Sequence, residues 1–427
     1  MTAPADLRAR GWLGVALALT ALKLWLTRGL GVYAIGGPVP GDQVFLELAQ
    51  HLVQGEWLGT DAGAALAHGP FYPMFIAGAL VLGLPLFLAQ QLLYAAACAL
   101  LVLALWPAIS SAGARAALFA LLLWNPMTFE GSAMSRVMAE QVGGPLVLLV
   151  FAGLAALCLR RAEPPPRQRP WLLLAGFAGG AYYLTGLPVV WLAPGVAVLA
   201  GFFLLDSRQT SRAAGQAAAR ILTLALVAAV LPPLLVCARN QYHYGRFVTH
   251  APASASATEP PAGFLSRCGQ SADFLVSFSR FSGRAPPSTG AQEQLQLFRN
   301  VTHERLSPPA GELDTVGATR YLNNLWKTDT LHRVGKALRP VLLGAFALAQ
   351  LVALARVVHA VRIRRWSDLL VVVVAAWISC TAAVVVHAAS WAENFIADFA
   401  PVYPLLLVFV GVTLWDAFAA WRPERAT

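Results

Sequence analysis

Charge is scarce in this sequence. Of its 427 residues only 12% are Asp, Glu, Lys or Arg, about half the share a soluble domain carries. With 58% hydrophobic residues and a mean hydropathy of +0.61, that shortage excludes a soluble single-core protein and an intrinsically disordered chain. Strict alternation of apolar and polar residues is also missing, which excludes a porin-like β-barrel. Cysteine is sparse and scattered. Cys98, Cys158, Cys237 and Cys380 lie in or beside apolar runs and Cys268 lies in a polar stretch, so neither a disulfide framework nor a metal-ligand spacing arises. What is present is a series of continuous apolar runs of the ~20 residues that a helix needs to cross a bilayer. The fold class is therefore all-α, a polytopic membrane protein.

The net charge of +10 does not make the chain a nucleic-acid binder, because its basic residues sit in short clusters between apolar runs. Arg160, Arg161, Arg167 and Arg169 form one cluster, Arg208, Arg212 and Arg220 another. Arg356, Arg362, Arg364 and Arg365 follow, then Arg422 and Arg425. Short Lys/Arg-rich loops mark the cytoplasmic side of a membrane. Arg8 and Arg10 put the N-terminus there too, and the run Gly11–Gly37 reads as a retained first span. Between Pro38 and Pro70 no Lys or Arg occurs, while Asp42, Glu47, Glu56 and Asp61 do. This segment reads as an external loop, with Phe45, Leu48, Ala49 and Leu52 at the spacing of an amphipathic helix lying on the membrane surface.

Beyond it, the apolar stretch 71–109 is divided at Pro85 into a short piece and a full span. Spans are expected near 113–126 and 137–158. The stretch 171–205, broken at Gly186 and Pro188, reads as two helices passing out and back. A span near 220–238 leads into the longest polar segment, and three more, near 340–356, 368–388 and 401–420, return the C-terminus to the cytoplasm. The sum is about ten crossings. The chain divides into a core of residues 1–248 that includes the external loop 38–70, a partly ordered external loop over 249–339, and C-terminal transmembrane helices over 340–427. In the long loop, Phe264, Phe274, Phe278 and Phe281 would anchor helices against the core, and 313–326 has a helical pattern.

The polar residues that invite a chemical reading lie at span ends on the external side. Asp42 follows the first span; it is either a helix N-cap or a carboxylate acting as a base or metal-orienting group. His68-Gly69-Pro70-Phe71-Tyr72-Pro73 stands where the chain re-enters the bilayer and reads either as an interfacial turn or as part of a site. Arg136 and Glu140, four apart, are an intrahelical pair or groups facing a polar cavity. Arg239-Asn240-Gln241-Tyr242-His243-Tyr244-Gly245-Arg246-Phe247 is an aromatic-belt anchor or a binding segment for an anionic headgroup or phosphate. Glu393-Asn394-Phe395 and Pro401-Val402-Tyr403-Pro404 close the series.

Taken in order, Gly41-Asp42-Gln43 with Phe45-Leu46-Glu47-Leu48-Ala49 behind it, Gly55 ahead of Gly69-Pro70-Phe71-Tyr72-Pro73, Arg239-Asn240…Gly245-Arg246-Phe247 and Pro401-x-Tyr403-Pro404-Leu405 resemble the GT-C membrane glycosyltransferases. The nearest likeness is to the bacterial branch related to dolichyl-phosphate-mannose protein mannosyltransferases. It covers roughly residues 10–250, with a shorter match near 390–410. The resemblance implies a helical bundle with surface helices in the first external loop. It implies an enzyme of the bacterial inner membrane that takes a sugar from a polyprenyl-phosphate donor to an envelope acceptor on the periplasmic face, by inverting single displacement. Asp42 falls on the catalytic acidic position and Glu140 on that of a second acidic residue. Arg239, Arg246 and His68 fall where donor phosphate or headgroup is met. Tyr72, Asn240, Tyr242, Glu393 and Tyr403 would line the substrate. Some members use a divalent metal and others none; no cofactor is specified here, and no nucleic acid. Two positions depart from the pattern: many relatives carry a basic residue within Leu184-Thr185-Gly186-Leu187-Pro188 and again at Glu393-Asn394-Phe395. The competing readings are a transporter or flippase for a lipid-linked substrate, which would show repeated halves and ionisable groups near the midplane, and a non-catalytic binder of a lipid carrier.

Overall fold

The computed structural model describes residues 3–27, 33–35, 41–125, 137–250, 263–277, 298–300, 340–341, 343–390 and 399–421. The described residues form a predominantly helical protein. Its helices are α1 Ala3–Thr27, α2 Gly41–Val53, α3 Ala62–Ala67, α4 Phe71–Val81, α5 Leu86–Leu105, α6 Ala112–Leu123, α7 Glu140–Leu159, α8 Pro165–Tyr183, α9 Ala193–Thr210, α10 Arg212–Tyr244, α11 Phe264–Ser277, α12 Leu343–Ile363, α13 Asp368–Ser390 and α14 Tyr403–Trp421. Two short strands, β1 Tyr33–Ile35 and β2 Phe298–Asn300, pair antiparallel with Tyr33 opposite Asn300.

Five of these helices, α5, α7, α10, α12 and α13, are long and apolar enough to cross a bilayer, and the chain is a multi-pass membrane protein. Helix α7 is apolar on every side and almost wholly buried, packed against α5, α8 and α9, as expected of a helix enclosed by others. Helices α10 and α12 are the opposite case. Leu226, Val227, Leu234 and Leu235 of α10 and Leu351 and Val361 of α12 are exposed, an outward apolar surface that hydrocarbon would cover. Helix α8 meets α10 through small residues, since a β-carbon at Gly176 or Gly180 would lie 2.5 Å from the carbonyl oxygen of Ala225 or Ala229. Close backbone approach of this kind holds helices together where lipid removes the hydrophobic driving force.

One end of the bundle is tied by arginines. Arg160 donates to the carbonyls of Ala104 (2.7 Å) and Leu103 (2.6 Å), satisfying orphan acceptors at the end of α5. Arg161 pairs with Asp206 at 2.5 Å and Asp368 at 2.6 Å, joining α7 to the end of α9 and the start of α13. These two residues, which the charge pattern explains by sidedness alone, also bind helices to one another. A second tie crosses the bundle: Lys23, fully buried in α1, donates to the Leu123 carbonyl at 2.7 Å and lies over the Tyr94 ring. Tyr94 donates to the Leu122 carbonyl at 2.7 Å and accepts from Asn125 at 3.2 Å, so α1 and α5 together cap the end of α6.

The division of 71–109 is as expected, with α4 ending at Val81 and α5 starting after Pro85. The pair α8 and α9 flanks a turn at Gly186, whose φ is +79°. The span expected over 220–238 is longer, because α10 starts at the Ser211 cap and runs through Pro232 and Pro233 to Gly245, a left-handed terminator.

Candidate functional site

The end of the bundle opposite the arginine ties gathers the segments singled out in the sequence. Helix α2 forms over the expected periodicity, with Asp42 in its first turn and therefore inside the helix rather than at its N-cap; Asp61 caps α3 instead, its Oδ1 accepting from Gly63 N at 2.7 Å. The side chain of Asp42 lies outside the described residues. The apolar face of α2 is covered by protein and not by lipid. Phe45, Leu46 and Ala49 join the main core, while Leu48 packs with Leu58 and Ala65 on the other side.

Phe45, one turn beyond Asp42, meets the His68 ring at 4.9 Å and the Tyr72 ring edge-on at 5.2 Å. Tyr72 is fully buried and its hydroxyl accepts from Gln90 at 2.9 Å. Burial pushes the His68 pKa below its usual 6.5, so near pH 7 it is a neutral imidazole and would contribute hydrogen bonding rather than charge. Gly69 sits against the backbone of Leu184, Thr185 and Gly186 so closely that a β-carbon there would overlap it, and Phe71 N donates to the Leu184 carbonyl at 3.1 Å. The departure at 184–188 is thus a turn whose backbone is sealed onto the re-entry motif. On its other side a β-carbon at Gly143 would lie 2.6 Å from Leu187 and 3.1 Å from Pro401. Glu140 opens α7 one turn before Gly143 and is half-buried, and Tyr403 opens α14 two residues after Pro401, buried.

A second group forms around Trp57. Its indole N–H donates to Asn240 Oδ1 at 2.7 Å, and the Arg239 guanidinium lies 5.5 Å from its ring centroid. Asn240, fully buried, donates to the Val248 and Thr249 carbonyls at 2.7 and 3.3 Å. The Tyr244 hydroxyl lies 2.7 Å from the Trp57 carbonyl and 2.8 Å from that of Gly59. Arg239 and Arg246 are exposed, and Tyr242 is 83% exposed; neither Arg246 nor Tyr242 is drawn into the buried part of the group. Thr249 leads to His250, whose ring approaches Tyr183 at 5.9 Å beside the 184–186 turn, and whose pKa burial also lowers. Through these contacts the two groups are continuous.

Trp57, Tyr183 and His250 carry no motif and were not legible as site residues; only the placement of Trp57 in an acidic loop near Glu56 set it apart. Arg136 and Glu393-Asn394-Phe395 lie outside the described residues, as do Phe278, Phe281 and the helical pattern at 313–326. Phe264 and Phe274 lie on helix α11, Phe264 being 44% exposed rather than an anchor, and the helix docks on α13 through a 2.9 Å hydrogen bond between Ser271 and His387. Among the described residues no three His, Cys, Asp or Glu side chains stand together as metal ligands.

No family model and no curated protein matches the chain. Among solved structures, it is similar to ArnT from Cupriavidus metallidurans in the apo state, with 19% identity over 95% of this chain and 77% of that one and a TM-score of 0.41. It is also similar to the same protein bound to undecaprenyl phosphate, with 17% identity over 96% and 79% and a TM-score of 0.36. A third similar structure is the apo oligosaccharyltransferase from Archaeoglobus fulgidus, with 13% identity, 97% coverage of this chain and a TM-score of 0.45; the chain spans about half that protein's length, 51%.

Proposed function

We propose that the protein is a GT-C-type glycosyltransferase that moves a sugar from a polyprenyl-phosphate donor to an envelope acceptor, with its site on the periplasmic face of the inner membrane and both termini in the cytoplasm. The observation that carries this reading is the meeting of sequence-distant motifs at one bundle end. The start of α2 reaches His68 and Tyr72 through Phe45, Gly69 abuts the 184–186 turn, and Gly143 abuts Leu187 and Pro401. The motifs that carry the family resemblance in sequence are therefore also neighbours in space.

In this reading the isoprenoid tail lies in the apolar surroundings of the bundle and the sugar-phosphate is met at its polar end. The acceptor hydroxyl attacks the anomeric carbon while the bond from that carbon to the phosphate oxygen breaks. Its electron pair leaves with the polyprenyl phosphate, and the hydroxyl proton passes to Asp42. A positioned carboxylate base contributes about 10²–10⁴-fold. Glu140, in the first turn of α7, is the second acidic group and orients the acceptor. Arg239 and Arg246 offer charged donors to the departing phosphate, and neutral His68 offers an N–H. Tyr72, Asn240 and Tyr403 support the walls from buried positions. A transporter is less well supported, because the described ionisable groups at this end stand at helix termini rather than near the midplane.

The test is a mass-spectrometric comparison of envelope glycolipids, glycans and glycoproteins from cells with and without the gene. Loss of a hexose or pentose increment from one species is the expected result; identical glycoconjugates in both would overturn the reading.

A further inference from the structure

We propose that Trp57 is a positioning residue, the platform on which the Arg239 guanidinium is held in a fixed orientation toward the phosphate of a lipid-linked ligand. The inference rests on the reading of Arg239 as a phosphate-side group.

Four residues at the end of one helix engage Trp57. The indole N–H donates to Asn240, the main-chain carbonyl meets the Tyr244 hydroxyl, the His243 ring stacks on it with centroids 6.5 Å apart, and Arg239 lies over its face. The Asn240 anchor is itself fixed by two donated hydrogen bonds to the Val248 and Thr249 carbonyls. The indole is thus held from three directions, while the arginine above it stays exposed.

An exposed arginine ordinarily explores many rotamers, and ordering it costs side-chain entropy. A guanidinium held over an indole by cation–π attraction keeps N–H donors with which to grip a phosphate. Among the described residues no carboxylate forms an ion pair with Arg239. The arrangement therefore pre-orients a cation of α10 without neutralising it, beside a loop whose own charges are acidic. A purely structural tryptophan would need only its ring buried and its N–H paired; the arginine held over its ring with no carboxylate partner among the described residues points beyond that.

The experiment titrates the full-length protein in nanodiscs with undecaprenyl phosphate, the ligand of one of the similar crystal structures, and reads binding by native mass spectrometry. Wild type, Trp57→Leu, Trp57→Phe, Arg239→Ala and the Trp57→Leu/Arg239→Ala double variant are compared. Arg239→Ala is expected to weaken binding about ten-fold, and Trp57→Leu about three- to ten-fold. Trp57→Phe, which keeps a ring face, should stay within about two-fold of wild type, and Trp57→Leu should add nothing once Arg239 is gone. An equal Trp57→Leu loss in both backgrounds would overturn the platform, as would a Trp57→Leu variant that binds normally while Arg239→Ala does not. Unchanged binding by Arg239→Ala, or none by wild type, would instead overturn the phosphate reading on which the platform depends. Should Trp57→Leu fail to fold, Trp57→Phe decides, and a loss as large as that of Arg239→Ala would contradict the proposal.

Discussion

Gly69 and Gly186 meet backbone to backbone: a β-carbon built on Gly186 would lie 3.0 Å from the Gly69 nitrogen, and one built on Gly69 would run into Leu184, Thr185 and Gly186. The re-entry motif and the turn between α8 and α9 are thus one packed unit, and no side chain fits between them. Gly69→Ala should push the two apart and cost about 1–3 kcal/mol, the usual range for overpacking. The check is a thermal-unfolding midpoint in detergent, with Gly78→Ala as control, since a β-carbon there meets nothing within 4 Å.

Lys23 should matter for stability although it carries no part of the proposed site. Lys23→Met keeps the length of the side chain but leaves the Leu123 carbonyl without its buried donor, a loss of about 1–3 kcal/mol. A lower thermal midpoint is the expected outcome. A midpoint equal to that of wild type would show that the capping of α6 does not depend on Lys23.

Arg161 bridges Asp206 and Asp368 from a partly exposed position. Arg161→Ala should cost about 1 kcal/mol, given solvent screening of such pairs, and Arg161→Lys should recover only part of it because one ammonium does not reproduce a two-sided fork. The cost should shrink in high salt, which unfolding at two ionic strengths would measure.

Much of the fold was legible because its signals are local. Pro85 and the turn at Gly186 and Pro188 break apolar runs in ways that any helix must obey, and the periodicity of Phe45, Ala49 and Leu52 specifies a helix whatever covers it. What covers it is a tertiary matter, and for that reason α2 packs on α4 and the 57–68 segment instead of resting on lipid. The second roles of Arg160 and Arg161 escaped notice for a similar reason, since charge clusters encode sidedness and helix ties with the same residues. Trp57 was out of reach because its partners Arg239, Asn240, His243 and Tyr244 are more than 180 residues away in sequence.

Acid should weaken the site end of the bundle. Burial lowers the pKa of His68 and His250 below the usual 6.5, so the unfolded chain binds more protons than the folded one between that lowered value and 6.5. Stability from this source is complete above about pH 6.5 and is lost as the pH falls through the folded-state values. The thermal midpoint should fall between pH 7.5 and pH 5.5, and the double variant His68→Gln/His250→Gln should show a smaller fall. An unchanged pH dependence in that variant would contradict the assignment.

The central claim is that Asp42 takes the acceptor proton, and its most direct measurement is complementation of a gene deletion with Asp42→Asn, read by mass spectrometry of the modified envelope species. With expression and thermal midpoint matching wild type, the account predicts a loss of about 10²–10⁴-fold in the rate at which the sugar appears. Full restoration of the modification by Asp42→Asn would contradict it.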